Sequence, residues 1–585
     1  MNHSLEYLTI GVYLLFLLVI GHAFSRLNRN LSDYVRGGGQ GTWWMVGMSM
    51  MMAGTSTNTF VGTAGAVFQA GPTPLVVYAA AIVAGVIMGA FLAAWFRQTR
   101  AYTVADIYRE RFGPEVEQFS VYVGIVLYPI SAAVMLLGLA VFCAAVFGFA
   151  MTPTILGIGV VVIAYSTAGG KWAVLATDFF QGLILIPISM LVAWLSWRAV
   201  GGWDGFAAHL QVPAIARDFQ WVKDAGQFSG ERFDARWVAA VFASMLMGSL
   251  TLLSAGKFLA VKDGREAKKA AWFTVAIGVI NLGVFFVPPM VARFLFEAEV
   301  NAMPLRNPAE SAYAVIAMKL LPNGLLGVLI VAMFAATMSS MDTGLNGMTG
   351  TIVRNLLPPL RRRLGQAEMS PTSEVWTCKV ITVLLGLAII TGALVLAARP
   401  KLELFDVFLI VSSMIGLPIG LPLFFGVFVR KLPRWSFFFI FGCAMVPPIW
   451  SQIDHAVFGN AWHYQDRILW VMVAGTAGML VSRACWRWSS PAYRAQVEAF
   501  FAKMRRPIDY AREIGTDRDS TQLRIMGRVS VVGGLCVSLL FLVPNDAAGR
   551  GAVAFVAGFV LLAGVGLLWA ARGRQDVEKP ETDPS

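Results

Sequence analysis

The chain carries one unusual run at residues 50–62, Met50-Met51-Met52-Ala53-Gly54-Thr55-Ser56-Thr57-Asn58-Thr59-Phe60-Val61-Gly62. Small and hydroxylated residues fill its middle, although the surrounding segment 43–70 is otherwise apolar. Within a lipid bilayer an unwound helix is tolerated only where its backbone is buried in protein or lines a cavity. The run therefore predicts either a spanning helix broken at a binding site or a tightly packed polar helix interface.

The composition around this run indicates a membrane protein. Of 585 residues, 57% are hydrophobic and only 14% are charged, and the mean hydropathy is +0.66. Soluble proteins carry about 25% charged residues, so a soluble globular chain is excluded. The net charge of +12 comes from basic residues in short loops, and we therefore expect the lipid bilayer, not nucleic acid, as the partner. The five cysteines show no metal-binding or disulfide spacing.

A spanning helix needs about 20 apolar residues, and fifteen stretches of the chain qualify. The predicted segments are 5–25, 43–70, 74–96, 118–147, 152–168, 172–198, 235–256, 270–296, 323–353, 374–398, 403–429, 435–452, 467–488, 526–545 and 550–571. Every basic cluster follows an odd-numbered segment, as in the loops after Gly256 and after Ile352. Because cytoplasmic loops carry the excess of Lys and Arg, we expect a multi-pass inner-membrane protein with its N-terminus outside and its C-terminus in the cytoplasm.

The seventh segment resembles the second in having small polar residues at its centre, Ala243-Ser244 and Gly248-Ser249. Each of the two begins a set of five segments, and they run in opposite directions, as an inverted repeat requires. The predicted parts are a first helix and loop at 1–41, a five-helix repeat at 42–199, an external loop at 200–233, a second five-helix repeat at 234–430, two helices at 431–488, a cytoplasmic amphipathic segment at 489–525, two last helices at 526–571 and a tail at 572–585.

Ionisable residues inside spanning helices are functional candidates, and Asp178 and Asp342 are two of the few here. Asp178 could instead be a carboxylate held by a neighbouring hydroxyl, and Asp342 could belong to an ion pair. No His, Cys or carboxylate cluster has catalytic spacing, so we do not expect an enzyme.

Four residues of the ninth segment share one helical face because they are spaced i, i+3, i+4 and i+7. They are Ala336, Ser339, Ser340 and Thr343. Hydroxyls and a freed carbonyl on one face suit a small hard cation, whereas a stripe of small residues also serves helix packing. The spacing alone leaves both interpretations open.

With these residues in place, the chain resembles the sodium/solute symporter family, which includes sodium–glucose, sodium–proline and sodium–sialic acid transporters. The matching motifs are Asp33-Tyr34, Trp43-Trp44, Ala53 to Gly62, Thr103-Val104-Ala105-Asp106-Ile107, Arg111-Phe112-Gly113, Tyr165-Ser166-Thr167-Ala168-Gly169-Gly170, Thr177-Asp178, Gln181, Leu320-Leu321-Pro322 and Ala336 to Ser340. The resemblance covers roughly residues 5–430. It implies an all-α fold like that of the leucine transporter, with one helix before the five-plus-five repeat and about four after it.

The resemblance also implies Na⁺ as the coupling ion and gives it two candidate sites. The main site would use carbonyl oxygens of Met52, Thr55 and Ala336 and the hydroxyls of Ser339 and Ser340. A further site would lie near Asp178, Ser339, Asp342 and Thr343. Asp342 stands where the family more often has a hydroxyl, so it could strengthen a second Na⁺ site or form a proton site.

The solute-binding candidates lie around the interrupted helices. They are Gly54, Ser56, Asn58, Thr59, Tyr78 and Ser244. Ser56 and Thr59 resemble the hydroxyl pair with which sialic-acid members hold a carboxylate. We therefore expect a sodium-coupled importer of a small polar solute of the sugar, sugar-acid or carboxylate class, acting as a monomer. The alternatives are a proton-coupled transporter and a solute sensor that does not transport.

Overall fold

The protein is helical throughout the part of the chain that its computed structural model describes. That part comprises residues 9, 11–13, 37–305, 307–398, 404–513 and 519–572. Within it, eleven helices are long and apolar enough to cross a membrane, and one bent pair would add a twelfth. The predicted first segment, 5–25, lies almost wholly outside the described residues.

The helices of the first half begin with the interrupted segment. They are α1 Trp43–Gly54, α2 Ala64–Ala70, α3 Thr73–Gln98, α4 Val104–Phe112, α5 Pro114–Phe147, α6 Met151–Ala199, α7 Gly202–Leu210 and α8 Pro213–Asp218. The short helices α7 and α8 lie in the loop predicted at 200–233, which is therefore partly helical.

The helices of the second half begin with the second interrupted segment. They are α9 Ala235–Ser249, α10 Gly264–Leu295, α11 Glu297–Asn301, α12 Ala312–Leu320, α13 Leu325–Arg363, α14 Pro371–Ala397, α15 Leu404–Val411, α16 Leu417–Phe428, α17 Ser436–Phe458, α18 Tyr464–Ala484, α19 Pro491–Arg505, α20 Tyr510–Glu513, α21 Asp519–Ser538 and α22 Ala547–Ala570.

Both interruptions predicted from small polar residues are confirmed. Between α1 and α2, Thr55 is extended (φ −113°, ψ 125°), and a π-helical turn Thr59–Thr63 follows. After α9 the chain bends by 57° into a 3₁₀ helix, Leu252–Phe258. Hydroxyl and amide side chains compete for backbone partners and so weaken a helix at these points.

The predicted boundary between the fifth and sixth segments is wrong, because α6 is one helix of 49 residues. Two apolar windows, Met151–Ala164 and Val174–Ala199, lie within it. The Gly-Gly-Lys run between them interrupts the hydropathy without ending the helix. Glycine costs about 1 kcal/mol per residue in a helix, which tertiary packing can offset.

Helix α13 forms the centre of the bundle. Its apolar window is 94% buried, whereas the corresponding window of α3 is 28% buried. Helices α1, α5, α6 and α14 pack directly on it. The residues of α13 that sequence analysis singled out are therefore held in the most enclosed part of the protein.

The basic loops meet at one end of the bundle, called here the basic end. There the Arg97 guanidinium donates a hydrogen bond of 2.5 Å to the Val261 carbonyl, and Arg354 pairs with Asp106 at 3.1 Å. Arg97, in the last turn of α3, and Val261 follow the third and seventh predicted segments. This contact fits the prediction that loops after odd-numbered segments share one side.

Arg111, on α4 at the basic end, is a fully buried guanidinium. It donates to the carbonyls of Gly426 (3.1 Å) and Val429 (3.0 Å) and to the hydroxyl of Tyr493 (3.2 Å). Its carbon Cζ also lies 5.5 Å from the centre of the Phe501 ring. Since Tyr493 and Phe501 belong to α19, this one side chain joins the predicted cytoplasmic segment 489–525 to the bundle.

We expect Arg111→Met to destabilise the protein by about 3 kcal/mol, because it leaves buried carbonyls without donors. The melting temperature in detergent should fall clearly and be measurable by fluorescence. The matched control is Arg109→Met, two residues earlier on the same helix, whose side chain is 64% exposed. Equal melting temperatures for the two variants would contradict the structural role of Arg111.

Candidate functional site

The break between α1 and α2 leaves backbone carbonyls without helical partners. Helix α1 ends at Gly54, where the Thr55 N–H still donates to the Met52 carbonyl at 3.0 Å, and the next backbone hydrogen bond runs from the Thr59 N–H to the Ser56 carbonyl at 2.8 Å. Thr57 fastens the break to α13, because its N–H donates to the Thr337 hydroxyl at 3.1 Å. Both threonines are fully buried, so the position of the break is fixed relative to α13.

Four carbonyl oxygens converge on the hydroxyl of Ser340. Its Oγ lies 3.4 Å from the carbonyl oxygen of Met52, 3.2 Å from that of Ala53, 3.1 Å from that of Thr55 and 3.2 Å from that of Ala336. A hydroxyl has one proton and can satisfy one of these acceptors at a time. The excess of hard oxygen atoms is what a small cation can satisfy, as freed carbonyls do in broken-helix transporters.

The predicted main Na⁺ site is thus brought together except at one residue. Met52, Thr55, Ala336 and Ser340 converge, and the Ala53 carbonyl, which the sequence did not single out, joins them. Ser339 instead lies within hydrogen-bonding reach of the Asp178 carboxylate.

Asp178 is a buried carboxylate next to both α1 and α13. Its Oδ2 accepts a short hydrogen bond from Ser49 of α1, and Ser339 of α13 lies within hydrogen-bonding reach of the same carboxylate. The hydroxyl of Thr343, which belongs to the same predicted site, has no partner. Ser49 was missed by sequence analysis, although it lies one helical turn before Met52 and so on the same face of α1. These contacts agree with the alternative that Asp178 is a carboxylate held by neighbouring hydroxyls, and its predicted role in a cation site stays a prediction.

Asp342 is also buried and accepts a short hydrogen bond from Ser166 of α6. Both carboxylates interact electrostatically with Lys171. No group of three or more His, Cys, Asp or Glu side chains suited to a metal is found among the described residues. The second predicted site therefore depends on carboxylates combined with hydroxyls.

Of the solute-binding candidates, the structure brings three together. The Thr59 hydroxyl accepts from the Tyr78 hydroxyl at 3.0 Å and from the Ser56 N–H at 3.4 Å. The Asn58 Oδ1 is buried without a partner, whereas Gly54 is exposed. Ser244 does not join them through its hydroxyl, which donates to the Val241 carbonyl of its own helix.

A cavity of about 560 Å³ extends from the basic end to the break in α1. Tyr102 and Lys257 line it near the basic loops, and Ala53, Gly248 and Thr343 line it near the two breaks. None of the six solute-binding candidates lines it. The cavity therefore reaches Ala53, at the break in α1, from the basic end, whereas Ser56, Thr59 and Tyr78 do not line it.

Together, the apolar spanning helices around α13 and the two interrupted helices define a polytopic membrane protein with the leucine-transporter fold. A Na⁺-coupled sialic acid symporter, solved substrate-bound and outward-open, matches with a TM-score of 0.67 and 18% identity over 83% of this chain and 98% of that one. A sequence model of the sodium:solute symporter family matches residues 34–435. The chain belongs to the sodium:solute symporter family.

Relatives with curated names share about a quarter of their aligned residues with this chain. The sodium/myo-inositol cotransporter 2 of Sus scrofa is 25% identical over 453 residues, 72% of this chain and 65% of that protein. The sodium/glucose cotransporter of Vibrio parahaemolyticus is 24% identical over 60% of this chain and 68% of its own. The sodium/sialic acid symporter of Proteus mirabilis is 22% identical over 73% and 85%. The chain thus spans just under two thirds of the length of the first relative.

Proposed function

We propose that the protein is a secondary transporter that imports a small polar organic solute together with Na⁺. The observation that carries this proposal is the set of four carbonyl oxygens around the Ser340 hydroxyl. Sodium bound there would join the broken helix α1 to the central helix α13. Because a ligand shifts a conformational equilibrium only by its differential affinity, this junction lets Na⁺ favour the state that binds solute.

The basic end faces the cytoplasm in this proposal, because Lys and Arg accumulate in cytoplasmic loops. The cavity that opens from that end then corresponds to an inward-open conformation. The N-terminus would lie outside and the C-terminus inside. The named relatives carry myo-inositol, glucose and sialic acid with sodium, which supports a polar organic solute and a non-enzymatic role.

A proton-coupled mechanism is the second candidate, because Asp178 and Asp342 are both buried carboxylates. Either could bind and release a proton within the helical bundle. The Na⁺ mechanism is favoured because the Ser340 site contains no titratable group.

Accumulation in proteoliposomes decides between these functions. We expect an inward Na⁺ gradient to drive solute from the myo-inositol, glucose or sialic acid classes above equilibrium, and gramicidin, which dissipates the gradient, to abolish it. Accumulation driven by a proton gradient in Na⁺-free buffer would replace Na⁺ with H⁺ as the coupling ion. Binding without accumulation under either gradient would indicate a sensor.

A further inference from the structure

The cavity at the basic end is positively charged along its wall. Lys171 of α6 and Lys257 of the 3₁₀ helix Leu252–Phe258 both line it, and no carboxylate does so among the described residues. The rest of the wall consists of aliphatic, aromatic and hydroxyl-bearing side chains such as Tyr102, Tyr128 and Thr251. The cavity therefore offers two cations and several hydroxyl groups to whatever occupies it.

Lys257 has no counter-ion in the described part of the chain, because no ion pair or hydrogen bond joins its ammonium group to another described residue and no charged side chain acts on it. Lys171 differs, because Asp178 and Asp342 both interact with it electrostatically. Those carboxylates accept hydrogen bonds from Ser49, which lines the cavity, and from Ser166. An enclosed charge is costly unless it is paired, so Lys257 is the cation that an anion in the cavity would complete.

We infer that the transported solute is an organic anion and that Lys257 holds its carboxylate in this cavity, with Lys171 adding positive charge on the same wall. The inference rests on the proposed transport function and specifies its substrate class. Clefts lined by one sign of charge with low-dielectric walls concentrate ions of the opposite sign. The volume of about 560 Å³ falls within the range of small-molecule sites, and the wall hydroxyls suit the uncharged, hydroxylated part of a sugar acid.

The potential of the cavity can be measured without knowing the solute. Gly347 lines the cavity and has open space where a Cβ would stand, so Gly347→Cys adds a thiol there without a clash. The background would carry serine at the partly exposed Cys443, Cys485 and Cys536. The probes are two thiol-reactive methanethiosulfonates of similar size, one bearing a sulfonate and one a quaternary ammonium group.

The quantity to measure is the rate of reaction with the anionic reagent divided by the rate with the cationic reagent. We expect this ratio to be about tenfold higher at the introduced thiol than for free cysteine. The preference should fall in Lys171→Met and in Lys257→Met. Lys379→Met is the matched control, because it removes an exposed lysine that does not line the cavity. A reagent ratio equal to that of free cysteine, or one that the two lysine variants leave unchanged, would overturn the inference.

Solute binding then tests the substrate class with a matched pair. Glucuronate and glucose differ by a carboxylate, and sialic acid and myo-inositol extend the comparison. In Na⁺, the acids should raise the melting temperature of the protein. The dissociation constant obtained by titrating that rise should increase at least tenfold in the lysine variants. Stabilisation by the neutral sugars alone, unaffected by either lysine, would refute the anionic substrate. If solute binding did not depend on Na⁺ while the thiol at position 347 still preferred the anionic reagent, sodium coupling would be refuted and the anionic substrate would stand. The proposed function and the inference about the substrate can therefore fail separately.

Discussion

Ser340→Ala is expected to raise the Na⁺ concentration for half-maximal solute uptake by at least tenfold. The substitution removes the hydroxyl that lies within 3.4 Å of all four converging carbonyl oxygens. A hydrogen bond or ion contact of this kind contributes about 1.5–3 kcal/mol, and about 1.4 kcal/mol corresponds to a tenfold change in affinity. The affected quantity is the Na⁺ dependence, because the rest of the bundle is unchanged.

Two measurements would check this result. Uptake into proteoliposomes is titrated with Na⁺, and the Na⁺-induced rise in melting temperature is titrated on the same preparation. Thr391→Ala is the control, because its hydroxyl makes only an i−4 bond to the Leu387 carbonyl on α14. Size-exclusion profiles should be alike for both variants, since Ser340 is only partly buried. An unaltered Na⁺ titration for Ser340→Ala would exclude the site.

Asp178→Asn is expected to reduce Na⁺-driven accumulation at least tenfold while leaving the protein folded. An amide oxygen can still accept from Ser49, so the contact between α6 and α1 is retained. The negative charge of the side chain is lost. A defect therefore reports the charge of Asp178 and not the structural contact.

The complementary variant is Ser49→Ala, which removes the hydrogen bond and keeps the charge. We expect it to lower the melting temperature but to preserve more accumulation than Asp178→Asn. The steady-state ratio of internal to external solute under a fixed Na⁺ gradient is the measurement. Normal accumulation by Asp178→Asn would show that the carboxylate is structural. Accumulation restored only by a proton gradient would instead favour the proton-coupled mechanism.

The broken helices could be predicted because their cause is local. Small hydroxylated residues compete for backbone hydrogen bonds wherever they occur, and their position within an apolar segment is visible in the sequence. The face of α13 that carries Ala336 and Ser340 followed from helical periodicity alone. The carbonyls of α1 that face these residues were implied only by the resemblance to a family. No local sequence pattern indicates which distant segment packs against this face of α13.

The remaining site residues depended on tertiary contacts that the sequence does not encode locally. Ser339 and Ser340 are neighbours, yet the structure places one beside Asp178 and the other at the converging carbonyls. The roughly 100° rotation between successive helical residues explains the difference. The sequence could not exclude Ser244 from the solute-binding candidates. Its hydroxyl donates to the Val241 carbonyl of its own helix, an acceptor that any serine in a helix has nearby. The continuity of α6 was missed because the prediction followed hydropathy. The hydropathy falls between the two apolar windows of α6, although the helix continues through that region.

The burial of Arg111 beneath α19 implies a delay during synthesis of the chain between the appearance of Arg111 and that of the helix that covers it. Tyr493, which covers the guanidinium, is made 382 residues after it. At about 5–20 residues per second, the ribosome needs roughly 20–80 s to supply that partner. The Gly426 and Val429 carbonyls that also accept from Arg111 are made earlier. The family match ends at residue 435, so a nascent chain of that length contains these carbonyl acceptors of Arg111 but not the helix that covers it.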